Sequence, residues 1–348
     1  LDGAFDIRDP GWPEAVNARP MVLLTNPIDD AIRADLADDF DLRLASATDG
    51  MSLRREAREA SFVVVRAPLP PELFAETPRL RAVVRHGAGV DMIPVDAASR
   101  HGVAVANVPA VNAPSVAEYA IGQMLALARR LPQINAALHA GNWSHARGYA
   151  DDATDLSGKT VVIVGMGAVG QALARICVAG FGMSVVGVRR TTTPADDAVI
   201  RHLPLEHALP LADYLVLACP LTETTRGLIG ARQLALLKPG ACLINVARGP
   251  VVCETALVAA LQSGRLAGAA LDVFAVQPLP EDSALRLMPQ VLLSPHLAGI
   301  TRESMKRMSQ GVAAQLRQMQ AGHLPQHLVN PQARAAILAR WASLETPS

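Results

Sequence analysis

Short apolar runs alternate along this chain with longer segments in which apolar residues recur at helical spacing. Met21–Thr25 (MVLLT), Phe62–Arg66 (FVVVR), Ala82–Arg85 (AVVR) and Val103–Asn107 (VAVAN) are brief, rich in valine and unbroken by polar positions. Such runs predict strands buried on both faces of a parallel sheet, with the intervening helical stretches covering it. This first α/β unit ends near Asn112. A long apolar segment follows, PSVAEYAIGQMLALARR, in which Pro114 and the Ser115…Glu118 spacing predict a capped helix start. Its apolarity implies burial, either inside its own domain or against another domain or subunit. A second series of strands opens at KTVVIVGMGAVG. It continues through Ser184–Arg190, Tyr214–Pro220, Ala241–Gly249, Gly268–Phe274 and Val291–His296. Thr301 to Gly322 reads as a helix, and a further helix is expected after Asn330. The order of elements is that of an α/β protein with parallel sheets.

Composition narrows the class. The chain has 348 residues, enough for two domains. Lys plus Arg equals Asp plus Glu, 32 against 32, and no basic run stands out, so nucleic acid is not the expected partner. No stretch of 18 uncharged apolar residues occurs, so no membrane span is expected. The first twenty residues carry acids and prolines rather than the apolar run of a secretory signal. Cys177, Cys219, Cys242 and Cys253 show no CxxC spacing, which fits a reducing cytoplasm, provides no metal motif, and suggests four buried small hydrophobes. The chain ends soon after the Thr301–Gly322 segment, so no appended regulatory domain is expected.

The strand VVIVG runs directly into Gly165-x-Gly167-x-x-Gly170 and then into an amphipathic helix. In that context the three glycines have separate duties: a tight turn, close approach of backbone to a pyrophosphate, and close helix–strand packing. The helix start at Ala168 and Val169 then presents free N–H groups to the phosphates. An acid at the end of the next strand would bind a ribose 2′-hydroxyl. The chain has Arg189, Arg190 and Thr191 there instead. Two guanidiniums and no carboxylate favour the 2′-phosphate of NADP(H), with NAD(H) possible.

Three further segments place polar groups at strand ends, where open α/β sheets bind ligands: INVARGP with Arg248, LDVFAVQP with Asp272 and Gln277, and LSPHLAG with His296. Together with RHGAGVD, NAPSVAE, GMGAVG, PLTETT and LKPGACLINVARG, in this order over residues 80 to 310, they resemble the D-isomer-specific 2-hydroxyacid dehydrogenases, the family of phosphoglycerate dehydrogenase and the glyoxylate/hydroxypyruvate reductases. The resemblance implies two doubly wound parallel-sheet domains. A Rossmann nucleotide domain (113–301) would be inserted in a flavodoxin-like substrate domain (1–112 and 302–348). It also implies hydride transfer between NAD(P) and a small 2-oxoacid or D-2-hydroxyacid. Arg248 would clamp the substrate carboxylate and polarise the keto oxygen, and His296 would be the acid/base. The backbone of His86, Gly87, Ala88 and Gly89, with Asn112, would complete the substrate site. Asp272 would anchor the nicotinamide carboxamide. Cys219, Pro220, Thr225, Val246, Ala247, Ala298 and Gly299 would line the cofactor, and the apolar helix would serve a homodimer contact.

Gln277 departs from the family pattern, which has Glu there. Glutamine still accepts a bond from the imidazole but adds no charge, so His296 is expected to titrate near or below roughly 6.5. Three readings remain open: an oxoacid reductase with its alkaline limit shifted down, a formate-dehydrogenase-like hydride transfer that needs no proton, or a dinucleotide sensor without turnover.

Overall fold

The structure, a computed structural model, describes residues 19–189 and 200–345. The chain forms two compact units, Leu1–Val108 with Met308–Ser348, and Pro109–Arg307. These changeovers differ by a few residues from those read in the sequence. Val108 packs its side chain where a Cβ on Gly311 would stand, which ties both to the first unit. Arg307 Nε donates to Val111 O at 2.8 Å, which ties that pair to the second.

The first unit holds a five-stranded parallel sheet: β1 (Met21–Leu24), β2 (Asp41–Leu44), β3 (Phe62–Val65), β4 (Ala82–Arg85) and β5 (Ala104–Ala106). Its order is β2-β1-β3-β4-β5, the flavodoxin-like winding. β1, β3 and β5 are wholly buried, as unbroken apolar runs require. β2 was not legible as a strand. It is an edge strand of sequence DLRL whose Asp41 and Arg43 pair with each other at 2.8 Å in solvent. Beyond β5 the buried Asn330 substitutes for a missing neighbour strand, accepting from Val105 N (2.9 Å) and donating to Val103 O (3.0 Å).

The second unit holds a seven-stranded parallel sheet: β6 (Thr160–Val164), β7 (Ser184–Val188), β8 (Arg201–His202), β9 (Tyr214–Leu217), β10 (Ala241–Asn245), β11 (Leu266–Leu271) and β12 (Val291–Leu293). Its order is β12-β11-β10-β9-β6-β7-β8, a Rossmann winding with one added edge strand. Each strand stops before the polar residues that the apolar runs led into. Those residues therefore emerge in loops at one edge of the sheet. β8, two residues long, carries no readable pattern.

The helix Ala113–Arg129 buries Ala117, Ala120, Ile121, Met124 and Ala128 against Val161, Ile163, Leu173 and Cys177 of its own unit. That packing accounts for its apolarity. The expected Ser115 cap does not form. Asn112 is the cap residue, and Ser115 lies inside the first turn, where its hydroxyl meets Thr301 Oγ1 (3.3 Å) and Arg307 Nη2 (3.3 Å). A local S-x-x-E pattern is thus overridden by tertiary partners. Cys177, Cys219 and Cys242 are buried, but Cys253, at the position preceding the helix Glu254–Gln262, is exposed with its thiol 3.5 Å from Thr255 Oγ1. Among the described residues no helix is long and apolar enough to cross a membrane, and no cluster of His, Cys, Asp and Glu could hold a metal ion.

Candidate active site

The second unit assembles its polar groups at the carboxyl ends of adjacent strands. β6 ends in the glycine loop. Gly165 has φ +101°, and a Cβ on it would stand 2.6 Å from the amide nitrogen of Cys219. A Cβ on Gly170 would stand 2.2 Å from Gly165 O. Both positions therefore require glycine for the fold itself. Gly167 differs: a Cβ there meets nothing within 4 Å, and the residue is exposed. It precedes the helix Ala168–Phe181 and provides no side-chain cap, so the first-turn N–H groups at Ala168, Val169 and Gly170 lack helical acceptors. Open space in front of unsatisfied donors, at the positive end of a 14-residue helix, fits a pyrophosphate.

At the end of β7 stands Arg189, half-buried beside His202, whose proton affinity is lowered by burial and by the Arg189 charge. Gly187 makes room for that imidazole: a Cβ there would stand 2.7 Å from His202 Cε1. Arg190 and Thr191 lie outside the described residues. After β9, Cys219 is buried, Pro220 is exposed, and the loop closes on itself as Thr225 Oγ1 donates to Pro220 O at 2.7 Å. Burial pushes the Cys219 thiol up, so it stays protonated and acts as an apolar wall.

After β10, Asn245 is buried, accepts from Ala247 N (3.0 Å) and donates to Arg248 O (3.1 Å). This turn, with Val246 and Ala247 in it, sets the direction in which Arg248 leaves the sheet. The half-buried guanidinium donates from Nη1 to Ala247 O at 2.7 Å. After β11 come the buried Asp272 and the exposed Gln277. After β12 comes His296 at φ +57°, a left-handed backbone that is uncommon for a residue with a Cβ. Gln277 Oε1 lies 3.4 Å from His296 Nδ1, so the long-spaced pair expected from the sequence is brought together. Asp272 Oδ1 accepts from Ser294 Oγ (2.6 Å) and Leu297 N (2.8 Å), and Oδ2 from Ala298 N (2.9 Å). Gly299 follows and leaves room for Asn112 Nδ2, which would stand 2.6 Å from a Cβ there.

In the first unit, His86 to Gly89 follow β4. The expectation that all four amides are available needs correction. His86 N donates to Val65 O (3.1 Å) and Gly87 N to Arg85 O (2.9 Å), because the chain must turn sharply out of the sheet. Among the described residues, the amides of Ala88 and Gly89 have no acceptor. The carbonyls of this loop are tied down, Gly87 O by Val108 N (2.9 Å), Ala88 O by Asn107 Nδ2 (2.7 Å) and Gly89 O by Arg85 Nε (3.0 Å). The His86 side chain is buried, with Nε2 2.9 Å from Ser309 Oγ. Burial first, then the charges of Arg66 and Arg85, push its pKa down to about 3, so it is neutral.

The glycine loop, Arg248 and the Gln277–His296 pair thus stand on one edge of one Rossmann sheet. Residues 121–298 match the family model described as D-isomer specific 2-hydroxyacid dehydrogenase, NAD binding domain. The chain belongs to that family. The glyoxylate/hydroxypyruvate reductase B of Pectobacterium atrosepticum is 35% identical over 316 residues, covering 90% of this chain and 99% of the relative. The D-3-phosphoglycerate dehydrogenase of Mycobacterium bovis is 36% identical over 89% of this chain, but this chain spans only 59% of that enzyme's length. Among solved structures, the NADPH-dependent glyoxylate/hydroxypyruvate reductase of Sinorhizobium meliloti, in complex with NADP and malonate, superposes with a TM-score of 0.79 at 33% identity, covering 90% of this chain and 97% of that one. Asn245, Ser294 and Tyr119, which hold the loops in place, were not singled out in the sequence. For Asn245 a signal existed: a lone amide inside the apolar run ACLINV.

Proposed function

We propose that this member of the family reduces a small 2-oxoacid to a D-2-hydroxyacid, with NADPH preferred over NADH. The observation that carries the reading is the Gln277–His296 pair on the same sheet edge as Arg248 and a glycine loop with open donors. When bound, the dinucleotide supplies the hydride. Ala168, Val169 and Gly170 hold its pyrophosphate through backbone N–H groups. Arg189 takes the 2′-phosphate, with Arg190 and Thr191 beside it in sequence. Asp272 retains one of about four carboxylate lone-pair positions for a carboxamide N–H, since three are engaged. Cys219, Pro220, Thr225, Val246, Ala247, Ala298 and Gly299 line the nucleotide.

Arg248 pairs with the substrate carboxylate and donates to the keto oxygen, which orients the carbonyl and stabilises the charge that develops on it. Within the first unit the amides of Ala88 and Gly89 are donors suited to a carboxylate, and Asn112, in the second, contributes at the substrate. Gln277 accepts the Nδ1–H bond of His296, and Nε2 delivers a proton to the carbonyl oxygen. Glyoxylate and hydroxypyruvate are the first substrates to test, because a reductase named for them is 35% identical over 90% of this chain and 99% of its own. Exposed Leu131, Leu138 and Trp143 support a homodimer, to be checked by light scattering. Four free cysteines support a cytoplasmic setting. The test of the activity is the rate of NADPH and NADH oxidation with both oxoacids from pH 5 to 9. NADPH-dependent turnover that fades as pH rises and the imidazolium is lost is expected. Absence of turnover with either cofactor at every pH would overturn the proposal.

A further inference from the structure

Tyr119 lies on the helix Ala113–Arg129, half-buried, and its hydroxyl is hydrogen-bonded to Ser294 Oγ. Ser294 Oγ lies 2.6 Å from Asp272 Oδ1. A carboxylate only accepts, so the single Ser294 proton is donated to Asp272. The Ser294 oxygen must then accept from Tyr119. The chain of bonds therefore has one direction, Tyr119 to Ser294 to Asp272, and each donor polarises the next. Burial raises the Tyr119 pKa; the Ser294 hydrogen bond opposes this and the Asp272 charge adds to it, and the net shift is upward, so the phenol remains a donor.

The end of this chain grips the loop that carries His296. The Asp272 carboxylate accepts from Leu297 N (2.8 Å) and Ala298 N (2.9 Å), and its backbone carbonyl accepts from His296 N (2.8 Å). His296 is held at φ +57°, a conformation that is unfavourable for an L-residue and persists only when its surroundings impose it. Asp272 supplies those restraints and is 2% exposed. Ser294, oriented by Tyr119, adds a third donor that fixes the plane of its carboxylate.

We propose that Tyr119 and Ser294 are positioning residues that act through Asp272 to hold His296 in its proton-donating geometry. This rests on the reading of His296 as the proton donor. It assigns a role to a helix residue that acts through Ser294 and Asp272.

The experiment compares Tyr119→Phe, Ser294→Ala and Ser294→Thr with the wild type by two readouts: kcat and KM for hydroxypyruvate with NADPH, and the 15N resonances of the His296 imidazole in the substrate-free protein. Tyr119→Phe and Ser294→Ala are expected to lower kcat about tenfold while KM changes less than about twofold, because misplacement of a reacting group acts on the chemical step. The double variant is expected to be no worse than Ser294→Ala alone, since both break one chain. Ser294→Thr keeps the hydroxyl and is expected to restore kcat to within about twofold. The His296 resonances are expected to shift and broaden in the two damaging variants and not in Ser294→Thr. Wild-type kcat and wild-type resonances in Tyr119→Phe and Ser294→Ala would overturn the proposal. So would a loss in Ser294→Thr equal to that in Ser294→Ala, which would make bulk rather than the hydroxyl decisive. If the wild type reduces no oxoacid, the proposed activity fails, and the resonances alone still decide whether the chain positions His296.

Discussion

Changing Gln277 to Glu places a carboxylate where the amide oxygen now stands 3.4 Å from His296 Nδ1. Two unit charges at that separation attract by about 1.2 kcal/mol in the dielectric of water. Gln277 is exposed and His296 half-buried, so the effective dielectric lies below that of water, and about 2.4 kcal/mol follows if it is halved. At 1.36 kcal/mol per unit, the imidazole pKa rises by about 1 to 2 units. The sign follows from which form is favoured. A carboxylate stabilises imidazolium, so the charged donor survives to higher pH, and the alkaline limb of kcat/KM moves upward by about 1 to 2 units. The assay is kcat/KM for hydroxypyruvate reduction at saturating NADPH, measured at half-unit intervals from pH 5 to 9.5. Parallel runs with 4-deuterated NADPH would establish that hydride transfer limits the rate. A full isotope effect together with an unmoved limb would refute the reasoning, because it would separate His296 ionisation from the residue at 277.

Arg248→Lys retains charge but loses the planar fork, so kcat/KM for a 2-oxoacid is expected to fall about 10²–10³-fold. An ester analogue without the carboxylate should lose much less, and equal losses would remove the clamp role. Gly167→Ala and Gly170→Ala should behave oppositely. The first meets open space and should leave stability within about 0.5 kcal/mol while weakening dinucleotide binding, as fluorescence titration would show. The second drives a methyl to 2.2 Å from Gly165 O and should cost about 1–3 kcal/mol in urea unfolding. His86 bears on acid stability. Its folded pKa of about 3 lies below the ordinary histidine value near 6.5. The neutral form is therefore favoured by folding, and stability is lost as pH falls below about 6.5 at roughly 1.4 kcal/mol per unit. Between pH 7.5 and 5.5, wild-type unfolding free energy should drop by about 1.3 kcal/mol more than that of His86→Phe. Parallel curves would show that another group governs the slope.

Legibility in the sequence followed how local each cause is. The buried strands could be read because a strand covered on both faces is apolar at every position, as in TVVIV and FVVV. The glycine loop could be read because its demands, a positive φ at Gly165 and contact between backbones at Gly170, are met by one residue type wherever they arise. β2 and β8 were missed because edge strands are polar or short and gain their definition from a neighbour's hydrogen bonds. The Ser115 cap was misread because Thr301 and Arg307, 186 and 192 residues away, bind the same hydroxyl. The exposure of Cys253 was not legible because it lies outside the strands, at the start of the helix Glu254–Gln262, where local hydropathy does not decide burial.

The candidate site divides in the same way. Arg248, His296, Gln277 and the glycine loop could be singled out as candidates because chemistry restricts which side chains can clamp a carboxylate, carry a proton or approach a phosphate. Their arrangement came from elsewhere. Only the tertiary structure joined Tyr119 to Ser294 across 175 positions and Ser294 to Asp272 across 22, and only it showed that His86 N and Gly87 N are already engaged. Residue type and short-range spacing determine what each group can do. Which groups meet, and which donors remain available, depends on hydrogen bonds closed between distant segments, and those partners are chosen by the packing of the whole sheet.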